Sequence, residues 1–256
     1  MQTISIIGYG KMAKAIAVAL NGRFKLEIIG RNKNSLQSFI KCNNLKNATI
    51  IHTDSIIDLQ NKRVILAIKP NALDFFTYKG TAEAIFSVMA GISIERLKQS
   101  IKANNYIRVM PNIAALVQKS VNIIYADSAS MGDIISECEM IFSPLGSCIF
   151  MEKESFINSA GAISGSGTAY LGLIAEAMID AGVREGLRLE TSKEIVRELF
   201  SGFSSLFANN EANDIRLDTT SPAGTTIEAL AVLENRGVRS AFIDAIHAAK
   251  EKANNI

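Results

Sequence analysis

Histidine and cysteine are scarce in this chain, and no cluster of lysine and arginine marks its 256 residues. The three cysteines, Cys42, Cys138 and Cys148, form no CxxC pair, and His52 and His247 are the only histidines. That supply is too small and too scattered for a structural zinc or a disulfide framework, so no metal site is expected. A formal net charge of +2 is too small to argue for nucleic acid, and no Lys/Arg run supports a basic stripe. The first residues lack a basic n-region and a small-residue cleavage site, so no signal peptide is expected. No stretch is expected to reach bilayer-spanning length, because Glu176 and Asp180 interrupt the most hydrophobic helix, and no membrane partner is expected. H-E-x-x-H, G-x-S-x-G and Walker motifs are also missing. These absences point to a soluble cytoplasmic protein whose chemistry rests on a cofactor and on positioning.

What is present is strongly patterned. Hydrophobic residues make up 48% of the chain and charged ones 20%, enough for one large domain or two ordinary ones. Up to about residue 152, short Ile/Val-rich runs such as ISIIG (4–8), LEIIG (26–30), RVILAI (63–68) and YIRVM (106–110) alternate with amphipathic segments. This alternation predicts an α/β Rossmann-type domain, 1–152, with a mainly parallel sheet. The runs show no in/out alternation, as befits strands covered on both faces. From 153 to 256 helical segments dominate, at 153–163, 167–188, 192–208, 225–235 and 238–254, which predicts an all-α domain. Residues 169–181, AYLGLIAEAMIDA, are apolar almost all round. Such a helix must be buried on nearly every side. A domain of about a hundred residues cannot wrap it alone, so a second protomer is expected.

IIGYGKMAKAI (6–16) contains G-x-G-x-x-A at Gly8, Gly10 and Ala13, after a strand and opening a helix. In this setting Gly8 permits a tight turn, Gly10 lets the backbone approach a pyrophosphate, and Ala13 keeps helix and strand close. The second strand ends in Gly30-Arg31-Asn32-Lys33, where an NAD site would carry Asp or Glu. A cationic, donor-rich corner suits a 2′-phosphate, hence NADPH, with NADH a possible second cofactor. Lys69-Pro70 closes a strand at the carboxyl edge where α/β sheets bind ligands, and Ala90-Gly91 and Pro111-Asn112 close two others. Ser164-Gly165-Ser166-Gly167-Thr168 is expected to be the entrance of the apolar helix, open either to another helix or to a ligand. SPAGTTIEAL (221–230) enters a further helix through small residues. Two accounts of it stand side by side: a capping box with Thr225 as N-cap and Glu228 at N3, or a helix start left open for an anion.

Taken together, IGYGKMA (7–13), AIKP (67–70), MAGIS (89–93), RVMPN (108–112), SGSGTAY (164–170), EAMIDAGVREGL (176–187) and SPAGTT (221–226) resemble pyrroline-5-carboxylate reductase along essentially the whole chain. Three positions depart from the family pattern: Lys11 in the fingerprint, Thr168 after SGSG, and Ala223 for the first glycine of SPGGTT. The resemblance implies a Rossmann domain joined to a helical dimerisation domain, with dimers that often assemble into rings. It implies reduction of 1-pyrroline-5-carboxylate to L-proline by NADPH or NADH. It also implies that Ile7, Gly8, Tyr9, Gly10, Lys11 and Met12, together with Ala67, Ile68, Lys69 and Pro70, hold the cofactor. Val88, Met89 and Ala90 would lie near the nicotinamide, and Asp54 matches a ribose-contacting position. Ser221, Gly224 and Thr225 would take the substrate carboxylate, and Thr226 would contact the imine nitrogen. Two rivals are a reductase of the 3-hydroxyacid dehydrogenase type and a cofactor-binding sensor without catalysis. The first needs a proton donor beside a carbonyl, commonly a lysine early in the second domain, and 159–190 contains none.

Overall fold

The computed structural model describes residues 1–127 and 132–254. Among the described residues the strands are, in chain order, β1 (Thr3–Ile7), β2 (Lys25–Gly30), β3 (Ala48–His52), β4 (Ile56–Asp58), β5 (Arg63–Leu66), β6 (Thr77–Lys79), β7 (Ala82–Ser87), β8 (Ala103–Met110), β9 (Ser120–Ala126) and β10 (Gly146–Phe150). The helices are α1 (Lys11–Leu20), α2 (Lys33–Cys42), α3 (Ile94–Ser100), α4 (Gly132–Phe142), α5 (Phe156–Arg184), α6 (Leu189–Phe207), α7 (Ala212–Asp218), α8 (Thr225–Asn235) and α9 (Val238–Asn254). Two compact units result: Met1–Gly165 with the stretch from Ala249 onward, and Ser166–Ala248. The division falls inside α5, later than the 152/153 boundary expected from composition.

The first unit is built on an eight-stranded sheet of order β10-β9-β8-β7-β5-β1-β2-β3. From β3 to β8 all neighbours pair in parallel. β8 and β9 pair antiparallel, and β10 follows β9 in parallel. The reversal has a local cause: only residues 111–119 separate β8 from β9, too few for the crossover that a parallel return needs. That link is pinned by Asn112, whose side chain accepts from the Ala114 and Val121 N–H groups and donates to the Ser164 carbonyl. Both faces of the sheet are covered. Ile4, Ile6 and Ile28 belong to the core beneath α1 and α4, while Ile7, Ile29, Val64 and Leu66 pack with Leu73, Ile94 and Leu97 on the other side. This is why β1 and β2 carry apolar residues on consecutive positions. The two-stranded β4–β6 pairing was not visible in the sequence pattern.

In the second unit α5 is one helix of 29 residues, Phe156–Arg184. Ser164–Thr168 therefore lies in its interior and is not an entrance. The Cβ positions of Gly165, Gly167 and Gly172 would meet nothing within 4 Å, so they interrupt neither packing nor helix. At Gly182 a neighbour presses in, with Ser192 Oγ of α6 2.6 Å from where a Cβ would stand. An 18-residue window of α5 has a mean hydropathy of 1.2 and is 6% buried, which meets the length and composition of a bilayer span. This corrects the expectation that no stretch reaches that length. Leu171 and Leu173 of α5, and Leu199, Phe203 and Leu206 of α6, are exposed. α7, α8 and α9 contain no buried residue at all. A helical unit with so little core of its own is completed by burying those faces against another surface.

A second copy of the chain is the expected cover. Light scattering should find a dimer, and Leu173→Arg, which places a charge on a side chain that is 68% exposed, should shift it toward monomer. A folded monomeric parent protein would overturn this assignment.

Candidate active site

Strand order reverses direction between β1 and β5: the chain goes from β1 to β2 on one side and later returns to β5 on the other. Ligands of open α/β sheets bind in the crevice at the carboxyl ends of such neighbours. Here Gly8 follows β1 with φ +116, and its N–H donates to the Ile29 carbonyl at 3.0 Å. A Cβ on residue 8 would stand 2.5 Å from the Ala67 carbonyl oxygen, so two strand ends approach more closely than any side chain permits. Gly10 is the N-cap of α1, with no side-chain cap, and nothing lies within 4 Å of its missing Cβ. The start of α1 is thus left without a side-chain cap, which suits an anion such as pyrophosphate.

A cleft of about 530 Å³ opens at this point. Of the residues expected to hold a cofactor, Gly8, Tyr9, Gly10, Arg31, Ala67, Ile68 and Lys69 line it. Its size, its glycine floor and its uncapped helix start fit a dinucleotide. Ile7 sits at the strand end but is fully buried, so only its backbone can serve. Lys11, Met12, Asn32, Asp54, Pro70, Val88, Met89 and Ala90 do not line the cleft. For several of them the structure shows another role. Met12 packs against the core, and Asn32 caps α2 by accepting from the Ser35 N–H at 2.9 Å. The Asp54 carboxylate lies 3.4 Å from His52 Nε2, which itself contacts the Arg31 carbonyl oxygen. Pro70 starts a 3₁₀ turn, Pro70–Phe75, and Met89 is buried in the second core. Lys11, Val88 and Ala90 are at least partly exposed yet stand outside the rim. No motif pointed to Asn71, Ala72, Phe75 and Phe76, which the 3₁₀ turn brings to the cleft wall.

The SPAGTT segment resolves its two accounts. The Gly224 N–H donates to the Ser221 carbonyl at 3.1 Å, closing a turn with Pro222 and Ala223 at its centre. Ala223 has φ +55, the sign that a type II turn requires at its third residue. Gly224 is then the N-cap of α8, with no side-chain cap, and Thr225 is the first helical residue. The capping box with Thr225 as N-cap is therefore corrected: the turn ends one residue earlier, which moves Glu228 to the fourth helical position. A Cβ at Gly224 would meet Ser221 Oγ at 2.3 Å, so this hydroxyl sits directly on the helix entrance. Since the Gly224 N–H is spent on the turn, an anion here would meet the N–H groups of Thr225 and Thr226 and the Ser221 hydroxyl. Thr226 is half-buried.

Comparison with known proteins supports the same assignment. Residues 154–256 match the family model for pyrroline-5-carboxylate reductase dimerisation, and residues 3–91 match that of the coenzyme F420-dependent NADP oxidoreductases. A pyrroline-5-carboxylate reductase of Helicobacter pylori is 37% identical over 98% of this chain and 99% of its own length. The chain belongs to the pyrroline-5-carboxylate reductase family. The solved pyrroline-5-carboxylate reductase of Streptococcus pyogenes superposes with a TM-score of 0.85 at 26% identity, covering 99% of this chain and 98% of that one. The Plasmodium falciparum enzyme, solved with NADP bound, shares the fold with a TM-score of 0.81 at 24% identity over 99% and 97% of the two chains. The fold class, a parallel-sheet Rossmann domain followed by a helical dimerisation domain, is that of the pyrroline-5-carboxylate reductases. Against the usual family pattern, Ala223 is the departure with a structural consequence, since it replaces glycine where φ is positive.

The close approach at residue 8 yields a direct test. Gly8→Ala combines a disfavoured φ with contact against the Ala67 carbonyl and should destabilise the chain by roughly 2–4 kcal/mol. Urea unfolding, with NADP⁺ calorimetry beside it, should show lower stability together with lost binding. A variant that matches the parent in both would remove Gly8 from the site.

Proposed function

We infer that this chain catalyses the reaction of its family, NAD(P)H-dependent reduction of the C=N bond of 1-pyrroline-5-carboxylate to L-proline, the final step of proline biosynthesis. The carrying observation is the open cleft at the β1/β5 switch point, floored by Gly8 and Gly10, in a chain 37% identical to such a reductase. The cofactor is NAD(P)H, which when bound supplies the hydride. Gly8, Tyr9, Gly10, Ala67, Ile68 and Lys69 would hold its dinucleotide, and Arg31 its 2′-phosphate, which favours NADPH. A functional boundary near 152/153 gives 1–152 to the cofactor and 153–256 to the substrate and the dimer; the dimerisation match at 154–256 supports this.

Ser221 and the Thr225 N–H are assigned to the substrate carboxylate, and Thr226 to the ring nitrogen. An iminium needs no strong acid, because its nitrogen arrives with the proton that the amine keeps. The carbon takes the hydride, the π electrons settle on nitrogen, and charge falls by one. Ser221 and the helix start fix one end of the ring, and the Thr226 hydroxyl orients the other, so positioning supplies most of the rate. The lack of lysine in 159–190 speaks against carbonyl reduction of the 3-hydroxyacid type. We assign the working form as a homodimer, with a ring of dimers as its higher assembly, acting in the cytoplasm.

Two measurements test these roles, and turnover with pyrroline-5-carboxylate separates an enzyme from a sensor. Thr226→Ala should lower kcat about 10–1000-fold, while Ser221→Ala should chiefly raise KM. Full kcat in Thr226→Ala, with only earlier melting, would reduce the segment to a helix start. Arg31→Ala should lose about ten-fold or more with NADPH and little with NADH, as expected for one charge-assisted hydrogen bond worth about 1.5–3 kcal/mol. Equal loss with both would sink the 2′-phosphate role.

A further inference from the structure

Among the described residues Arg31 forms no ion pair, although it is a cation at the mouth of a cleft. It is held by rings instead. The guanidinium carbon lies 5.1 Å from the centroid of Phe75 and 5.8 Å from that of Phe76. The two phenylalanines differ in what they do for the fold. Phe76 is buried in the second core, whereas Phe75 is 53% exposed on the cleft wall. Its neighbours leave it no alternative. Leu73 is buried, its carbonyl accepts from the Tyr78 hydroxyl at 3.0 Å, and Asp74 takes the Arg96 guanidinium at 2.6 Å. Pro70 fixes the start of the same 3₁₀ turn. With residues 73, 74 and 76 each anchored, the ring of residue 75 is turned outward over the cleft. What sets this ring apart from the other exposed apolar side chains is the Arg31 guanidinium beside it on the cleft wall.

An aromatic face attracts a guanidinium through its quadrupole without neutralising it. A carboxylate would fix Arg31 as firmly but would cancel the charge that an anion needs. A ring contact also takes up none of the guanidinium N–H donors, which stay available to an anion. We propose that Phe75 is a positioning residue for cofactor choice: it holds the unneutralised Arg31 guanidinium ready for the 2′-phosphate of NADPH. The proposal rests on the 2′-phosphate role of Arg31, and it has Phe75 act on the NADPH-over-NADH preference through Arg31.

Isothermal titration calorimetry of the purified full chain with NADP⁺, NAD⁺ and adenosine 2′,5′-bisphosphate tests it without turnover. Phe75→Ala should weaken NADP⁺ and the bisphosphate about 3–10-fold while NAD⁺ changes less than about two-fold, the scale of one partly desolvated cation–π contact. Phe75→Tyr, which keeps the aromatic face, should restore the parent affinity, and Phe75→Leu, which keeps only bulk, should not. In an Arg31→Ala background, Phe75→Ala should add nothing further. Additive losses in the double variant, or equal losses for NADP⁺ and NAD⁺, would overturn the proposal, as would full restoration by leucine. If Arg31→Ala discriminates the two cofactors and Phe75→Ala does not, Phe75 alone is wrongly assigned. If Arg31→Ala fails to discriminate, the 2′-phosphate role falls and this proposal falls with it. Thermal unfolding of each variant separates a lost fold from a lost contact.

Discussion

The carbonyl oxygen of Ala67 lies where any side chain at position 8 would have to stand. That single close approach, between the ends of two neighbouring parallel strands, sets the geometry of the first unit. It brings the turn after β1 against the turn after β5, leaves the start of α1 uncapped, and opens the cleft between them. Because β1 and β5 are buried on both faces, the two strand ends cannot relax apart without disturbing two cores at once. The site is therefore as rigid as the sheet that carries it.

The second unit obeys a different constraint. Its helices are amphipathic or apolar, yet a single copy gives them almost nothing to bury against. Sheet and cleft can form within one chain, whereas the helical unit leaves large apolar side chains exposed in a single copy. The hydrophobic area that makes α5 pass for a bilayer span is the same area that a dimerisation domain must offer. Hydropathy alone does not tell a lipid-facing helix from one that awaits its twin.

Much of this architecture was legible in the sequence, and the failures have physical causes. Strands of the parallel sheet announce themselves because burial on both faces produces unbroken Ile/Val runs, and Gly8, Gly10 and Arg31 sit at offsets fixed by local βα geometry. Phe75 gave no such signal, since its place beside Arg31 depends on a 3₁₀ turn after β5 reaching across to the end of β2. Ser164–Thr168 misled because glycine breaks an isolated helix, while a long apolar helix carries several glycines through. Thr225 misled for the opposite reason. Thr-Thr-Ile-Glu matches a capping box, but the preceding Ser-Pro-Ala-Gly turn claims Gly224 first. Asn32 is committed to capping α2, a role that the Gly-Arg-Asn-Lys corner does not announce.

Ala223 carries a consequence for motion. An L-residue other than glycine in the left-handed region is disfavoured by roughly 1–2 kcal/mol, so the turn before α8 is held against the torsional preference of its own third residue. Released from the Gly224–Ser221 hydrogen bond, the alanine would relax to negative φ, where a glycine would have little reason to leave. The opened turn is thus several-fold more populated here than in a glycine-bearing relative, by the same energy read as an equilibrium. The entrance to α8 is a small hinge under tension.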